Sequence, residues 1–248
     1  MLDLDFEDEL PFGKFIQNDR LTNEEYHAQH GISASGLKQA WKDPKLYALR
    51  GELKRLPSPA LTMGTALHEA LLEREKFKMS NYLLTPAYLE KLDIMVHNSR
   101  LMFDYIVTNT KNEMSLFVQD EGFIRKVRVD AYDPKLGVIY DVKTTKYNSP
   151  SMFIKDAYEL GYHLQAAFYI DTLRMADIKA DYFAFLCVPN DNPCEPFAVQ
   201  IDDLFIEDGR EIYTEVVQNI MNYGNSDQVY FRQMNLPEWR LKQKDMHE

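Results

Sequence analysis

The sequence predicts an α+β or α/β fold organised around a mixed β-sheet flanked by helices. Three observations carry that prediction. Apolar residues make up 45% of the 248 residues, enough to fill a substantial core. Helix-period and strand-period segments come in blocks: helices, three strands, a long helix, two strands and a closing helix. Proline and glycine punctuate the changes of period, most clearly at Pro134 and Gly137.

Taken in order, residues 1–31 read as an acidic, loosely structured N-terminal extension, with eight acids against Lys14 and Arg20. Ser33 reads as the N-cap of a helix over 34–41, which stops before Pro44. A short helix to Arg50 follows, and Pro57 and Pro59 mark a loop. Met63, Ala66, Leu67, Ala70 and Leu71 recur at helical spacing, so a helix is expected over 62–77 with Thr62 as cap. Pro86 opens another over 86–109. Segments 113–119, 122–132 and 138–143 look extended, and the Pro134–Gly137 turn makes them an antiparallel meander. Pro150 opens one long helix through about 176. Residues 182–188 form an apolar strand, 197–201 its antiparallel neighbour, and 204–223 a last helix. The domain reading is therefore the extension 1–31, one domain over 32–223, and a short polar tail over 224–248.

Composition removes several function classes. No run approaches the roughly 20 apolar residues a spanning helix needs, so no membrane association is expected. Asp3, Asp5, Glu7, Asp8 and Glu9 replace the basic start of an export signal, which points to a cytoplasmic protein. Cys187 and Cys194 are too few for a four-thiolate cluster or a disulfide framework. A net charge of −11 argues against nucleic acid as a partner, but its distribution is uneven. Residues 36–55 carry Lys38, Lys42, Lys45, Arg50, Lys54 and Arg55, and a second basic group comprises Arg125, Lys126, Arg128, Lys143 and Lys146. These groups could line a local basic groove.

The chemistry-bearing constellation begins with Asp130 on one expected strand and Asp141 with Lys143 on the next. Strand alternation points Asp141 and Lys143 to the same face, and the turn folds Asp130 beside Asp141. Two carboxylates suit a hard divalent cation such as Mg²⁺ or Mn²⁺, one or two ions. The lysine can orient or deprotonate an attacking water, or balance charge in a transition state. Taken alone, these three residues read equally as a solvated hairpin edge. His68 adds an imidazole on the helical face shared with Gly64 and Leu71, and Gln165 and Tyr169 share a face at i and i+4.

Together Ile32-Ser33-Ala34-Ser35, Gly64-Thr65-Ala66-Leu67-His68, Asp130, Asp141-Val142-Lys143-Thr144-Thr145 and Gln165-x-x-x-Tyr169 resemble the RecB-like branch of the PD-(D/E)XK nucleases, and within it the RecE-type phage exonucleases. The resemblance implies a restriction-endonuclease-like core. It implies metal ligation by His68, Asp130, Asp141 and the Val142 carbonyl, a catalytic Lys143, and Gln165 and Tyr169 supporting the site and the DNA strand. Glu113 resembles an acidic position some members use. It further implies Mg²⁺-dependent digestion of double-stranded DNA ends, 5′→3′, leaving 3′ overhangs for recombination with a RecT-like annealing protein. A ring-shaped homo-oligomer, trimer or tetramer, completes that picture. The sequence departs from the family pattern in carrying Val129 where the superfamily name implies proline and Asp141 where many members have Glu. A structure-specific or single-strand nuclease of the same fold, and a catalytically inactive DNA-binding module, remain as alternatives. The absence of H-E-x-x-H speaks against a zinc protease.

Ser33 and Ser35 admit two readings. A helix N-terminus offers free amides to a DNA phosphate, with Gly36 allowing close approach and Lys38 and Lys42 adding charge. Plain N-capping explains the serines equally well.

Overall fold

The computed structural model describes residues 14–49 and 58–223. A seven-stranded mixed sheet runs through its centre. The first surprise is at the N-terminus. Phe15–Asn18 form β1, antiparallel to a later strand, and Asn23–Ala28 form helix α1. Residues 14–31 are thus part of the fold and not a loose lead-in. Two features, one local and one long-range, account for this. Thr22 and Glu25 close a reciprocal capping box that satisfies the first amides of α1. The buried Lys126 ammonium then donates to the carbonyls at the end of the helix, those of Tyr26, His27 and Gln29, at 3.3, 3.4 and 2.7 Å.

Ile32–Ser33 (β2) lead directly into α2 (Ala34–Lys42), and α3 (Pro44–Ala48) follows after an Asp43 cap. Arg50, Lys54 and Arg55 lie outside the described residues. Helix α4 spans Pro59–Leu72, starting and stopping earlier than the periodicity indicates. Ser58, not Thr62, is its cap: the Ser58 hydroxyl accepts from Leu61 N, and Pro59 occupies the first turn, where its missing amide is harmless. Helix α5 (Pro86–Thr108) packs on α4.

The meander follows as expected: β3 (Lys111–Asp120), β4 (Phe123–Asp133) and β5 (Val138–Thr145), antiparallel in turn. The β4–β5 turn is set by Asp133, whose carboxylate accepts from the amides of Lys135 and Leu136, and by Gly137 at φ 71°. The single long helix expected over 150–176 is two helices, α6 (Pro150–Glu159) and α7 (Tyr162–Met175). Gly161 separates them at φ 70°, a left-handed conformation that glycine adopts without penalty. Strand β6 (Tyr182–Pro189) lies parallel to β5, which makes the sheet mixed, and β7 (Phe197–Gln200) pairs antiparallel with β6. Helix α8 (Asp203–Tyr223) closes the described chain.

The sheet order is β1-β3-β4-β5-β6-β7, with β2 attached in parallel to β4. One face carries α2, α6, α7 and α8 over a core that includes Leu37, Leu116, Val127, Val129, Phe168 and Phe185. The other carries α4 and α5 over Leu67, Leu71, Met95, Phe103, Ala131 and Val142. Strand β4 therefore sends Val127 and Val129 to one core and Ala131 to the other. The alternation breaks at Asp130.

Candidate metal centre and active site

That break marks a fork in the sheet. Strand β4 pairs with β5 only at Ala131–Tyr140, Tyr132–Ile139 and Asp133–Val138. One step further, Asp130 would face Asp141, but the ladder stops, and Val142 N donates instead to the Asp130 carboxylate at 2.7 Å. Beyond the fork, β4 takes β2 as its neighbour, at Arg125 and Lys126. On the other side of β4, Asn112 faces Ala131 and Met114 faces Val129. Glu113 thus stands opposite Asp130, outside the regular pairing and with a left-handed φ of 54°. Glu113, Asp130 and Asp141 consequently occupy one row across three adjacent strands. Like charges directly opposite one another destabilise a sheet, and a left-handed non-glycine costs about 1 kcal/mol or more. Arg128 and Lys143 offset Glu113 and Asp141, which leaves Asp130 as the carboxylate a bound cation would compensate.

Helix α4 brings His68 to this row. Its Nε2 donates to the Val142 carbonyl at 2.8 Å, and its Nδ1 is 3.6 Å from Asp130 Oδ2. At Gly64, one turn earlier, α4 runs close to β5, but the approach does not require glycine: a methyl there would stand 3.5 Å from Thr144 Oγ1, in ordinary contact. His68, Glu113 and Asp130 each bring one ligand atom within 4.8 Å of the others. The donor set, all oxygen plus one imidazole, fits Mg²⁺ or Mn²⁺.

The ionisation of these groups points the same way. Burial, followed by the neighbouring Asp141, pushes Asp130 up to about 8. Burial and then Asp130 raise Glu113, against the opposing pull of Arg128. Burial and then Lys143 lower His68, leaving it a neutral imidazole suited to a metal. Burial pulls the Lys143 ammonium down, but Asp141 and Asp130 outweigh it and hold it above the usual lysine range.

Asp141 lies apart from the three-residue cluster. It is 2% exposed, and its two oxygens are taken by Lys143 Nζ and Gln165 Nε2. Lys143 also sits over the rings of Tyr162 and Phe185, at 5.2 and 5.7 Å. Tyr169 is buried one turn after Gln165 on α7.

The residues expected to touch a DNA phosphate do not assemble into one site. Ser33 caps α2, accepting from Gly36 N at 3.3 Å, and its hydroxyl lies 3.0 Å from that of the exposed Ser35. Gly36 is not open to a ligand, because an added methyl would meet the Tyr47 ring at 2.8 Å. Lys42 is exposed at the end of α2, while Lys38 turns inward and donates to Gln165 Oε1 at 2.9 Å. The second basic group is not a groove either. Arg125 is buried on Asp120 and Tyr213, Lys126 on the carbonyls of α1, and Arg128 on Glu113 and the Leu21 carbonyl.

Sequence reasoning missed Arg128 as the partner of Glu113, although a signal existed: Arg128 stands two residues before Asp130, which strand alternation places on the same face. It also missed Tyr162, whose ring lies 5.2 Å from both Lys38 Nζ and Lys143 Nζ and carried no motif to mark it.

A family model described as a PDDEXK-like domain of unknown function (DUF3799) matches residues 33–229. No curated protein matches the sequence. A crystal structure from Eubacterium rectale, of a protein provisionally named an exonuclease, superposes with a TM-score of 0.62 at 17% identity, covering 88% of this chain and 97% of that one. A phage-related exonuclease from Haemophilus somnus 129PT aligns at 15% identity and a TM-score of 0.38, over 79% and 96% of the two chains. The forked mixed sheet, its acidic row and the match across most of the described domain lead to one assignment: the chain belongs to the PDDEXK-like domain family DUF3799.

Proposed function

We propose that this chain is a divalent-metal-dependent exodeoxyribonuclease acting on double-stranded DNA ends. One observation carries the reading: Glu113, Asp130 and Asp141 form a row at the sheet fork, with His68 on one side and the Lys143 ammonium on the other. A purely structural sheet gains nothing from three neighbouring carboxylates and a left-handed glutamate.

A divalent ion would be held by His68, Glu113, Asp130, Asp141 and the Val142 carbonyl, and would supply Lewis-acid stabilisation of a phosphoryl oxygen. The chain's own groups do the rest. Lys143, ion-paired with Asp141, is placed to orient a water and to stabilise charge on the scissile phosphate. Gln165 fixes one oxygen of Asp141 while Lys143 holds the other. Arg128 fixes Glu113. The neutral His68 keeps a lone pair available.

The finer parts of the reading rest on family resemblance: 5′→3′ polarity, 3′ overhangs for a RecT-like annealing partner in recombination, and a ring-shaped oligomer. Ser35 and Lys42, both exposed on α2, remain the phosphate contacts this reading would use.

Linear duplexes labelled at either end, alongside a closed circle, test the proposal in Mg²⁺, Mn²⁺ and chelator. Mononucleotides released from linear DNA only, in either metal and never in chelator, are expected. Cutting of the circle would make the protein an endonuclease, and no cutting in either metal would leave a binding module.

A further inference from the structure

The inference concerns Lys38, and it rests on the nuclease reading above. Gln165 is 5% exposed, and both ends of its amide are engaged. Its Oε1 accepts from Lys38 Nζ at 2.9 Å, and its Nε2 donates to Asp141 Oδ1. A glutamine side chain can present either end of its amide to a neighbour. Flipped, this one would set its carbonyl against the Asp141 carboxylate and its NH₂ against the Lys38 ammonium. Both contacts would then be repulsive, in a buried place where water cannot soften them. Lys38 therefore selects the orientation in which Gln165 donates to Asp141.

The chain is shaped to let Lys38 reach that point. Gly161 lies one turn before Gln165 and carries no side chain. A Cβ there would stand 3.0 Å from Lys38 Cγ, 3.3 Å from Cδ and 3.5 Å from Trp41 Cε3. The lysine stem thus runs across the glycine that separates α6 from α7, and its head settles over Tyr162, the ring that also carries Lys143. A lysine meant for DNA would direct its ammonium to solvent. This one directs it to a buried amide.

We propose that Lys38 is a positioning residue for Asp141, acting through Gln165, so that the carboxylate is oriented for the metal before DNA arrives. A partner one shell removed from a metal site typically changes metal affinity or activity by about 10–100-fold.

Two variants isolate the effect. Lys38→Met keeps the stem that packs on Gly161 and removes the donor. Gln165→Met breaks the relay at its other end. Mn²⁺ binding to the free protein is measured by calorimetry, and kcat and KM for duplex DNA are measured separately. The proposal expects Lys38→Met to weaken Mn²⁺ binding about tenfold without DNA and to lower kcat at saturating DNA with little change in KM. Gln165→Met should show the same loss, and the double variant no more than either single one. A DNA contact behaves differently: Lys38→Met would raise KM with a changed salt dependence and leave Mn²⁺ binding alone. That outcome, additive losses in the double variant, or a Gln165→Met protein with wild-type Mn²⁺ affinity and kcat would overturn the proposal. Asp130→Asn separates it from the underlying reading. If the wild-type protein and Asp130→Asn alike bind no Mn²⁺, the metal site itself is wrong and the proposal falls with it. Wild-type binding that is lost in Asp130→Asn but intact in Lys38→Met and Gln165→Met removes only the role of Lys38.

Discussion

Asp130→Asn should make the metal-free protein more stable while removing its function. Asp130 is enclosed by Glu113, Asp141 and His68, and in the absence of an ion its negative charge is unwelcome. An unfolded aspartate ionises near pH 4, whereas here burial and Asp141 push Asp130 up to about 8. At about 1.4 kcal/mol per tenfold change, that span bounds the penalty at roughly 6 kcal/mol. Relaxation and water entry reduce it, so about 1–3 kcal/mol is expected, or roughly 3–8 °C in melting temperature for a domain of this size. Asparagine keeps an oxygen to accept from Val142 N, now at 2.7 Å, so the fork retains its hydrogen bond. The sign follows from linkage. A carboxyl whose folded pKa is raised favours folding fully below its unfolded value and loses that contribution as pH rises through the folded value. Wild type and variant should therefore melt together near pH 4 in chelator, diverge from pH 4 to 8 in favour of the variant, and run parallel above. Saturating Mg²⁺ should reverse the order by stabilising only wild type. A variant less stable than wild type at pH 8 in chelator would refute the claim that the row stores repulsion.

Three further outcomes are expected. Lys143→Ala should slow single-turnover cleavage at saturating DNA by about 100-fold or more, and an unchanged rate would reduce Lys143 to a phosphate contact. Gly209→Ala should cost about 3 kcal/mol or more in urea unfolding, because a Cβ there would meet the His163 carbonyl oxygen at 2.2 Å and α7 would have to move off α8; a wild-type midpoint would contradict that packing. Lys126→Met should destabilise by about 1–3 kcal/mol and speed proteolysis within residues 14–31, since three carbonyls of α1 lose their common donor. Unaltered proteolysis would mean the capping box holds α1 alone.

Much of the fold was legible because its signals are local. Pro86 and Pro150 start helices, Ser33 caps one, and Asp133 with Gly137 fixes the hairpin that brings two strands of the row together. The misreadings share a physical cause. Gly161 breaks a segment whose apolar pattern continues on both sides, and a lone glycine inside such a pattern does not announce a left-handed φ. The acidic N-terminal stretch looks soluble and loose, yet β1 pairs with β3, and α1 and the Leu21 carbonyl before it are held by Lys126 and Arg128, all from about a hundred residues away. The site was legible only as a set of residue types. That β4 abandons β5 at Asp130, and that Glu113 completes the row, depend on long-range register that no sequence window contains.

The same long-range pairing changes how the basic residues should be understood. Arg128 neutralises Glu113, Lys143 neutralises Asp141, and Lys38 steadies the amide between them. Three cations that look available to DNA in the sequence are instead directed at the acidic row or its immediate support. Arg125 and Lys126 are withdrawn as well, on Asp120 and on the end of α1. Among the described residues, a chain with a net charge of −11 therefore offers fewer surface cations for phosphate than its composition promises. If few lysines and arginines reach the duplex, few counterions are released on binding, and affinity should fall less steeply with salt than for a basic-groove nuclease. Attraction must then come largely from the bound ion, which is the strongest positive charge such a site can offer. DNA affinity measured with a non-supporting divalent ion such as Ca²⁺ against chelator should differ by about tenfold or more, while doubling monovalent salt should matter less. A steep salt slope that persists in chelator would show that cations outside the described residues, and not the metal centre, hold the DNA.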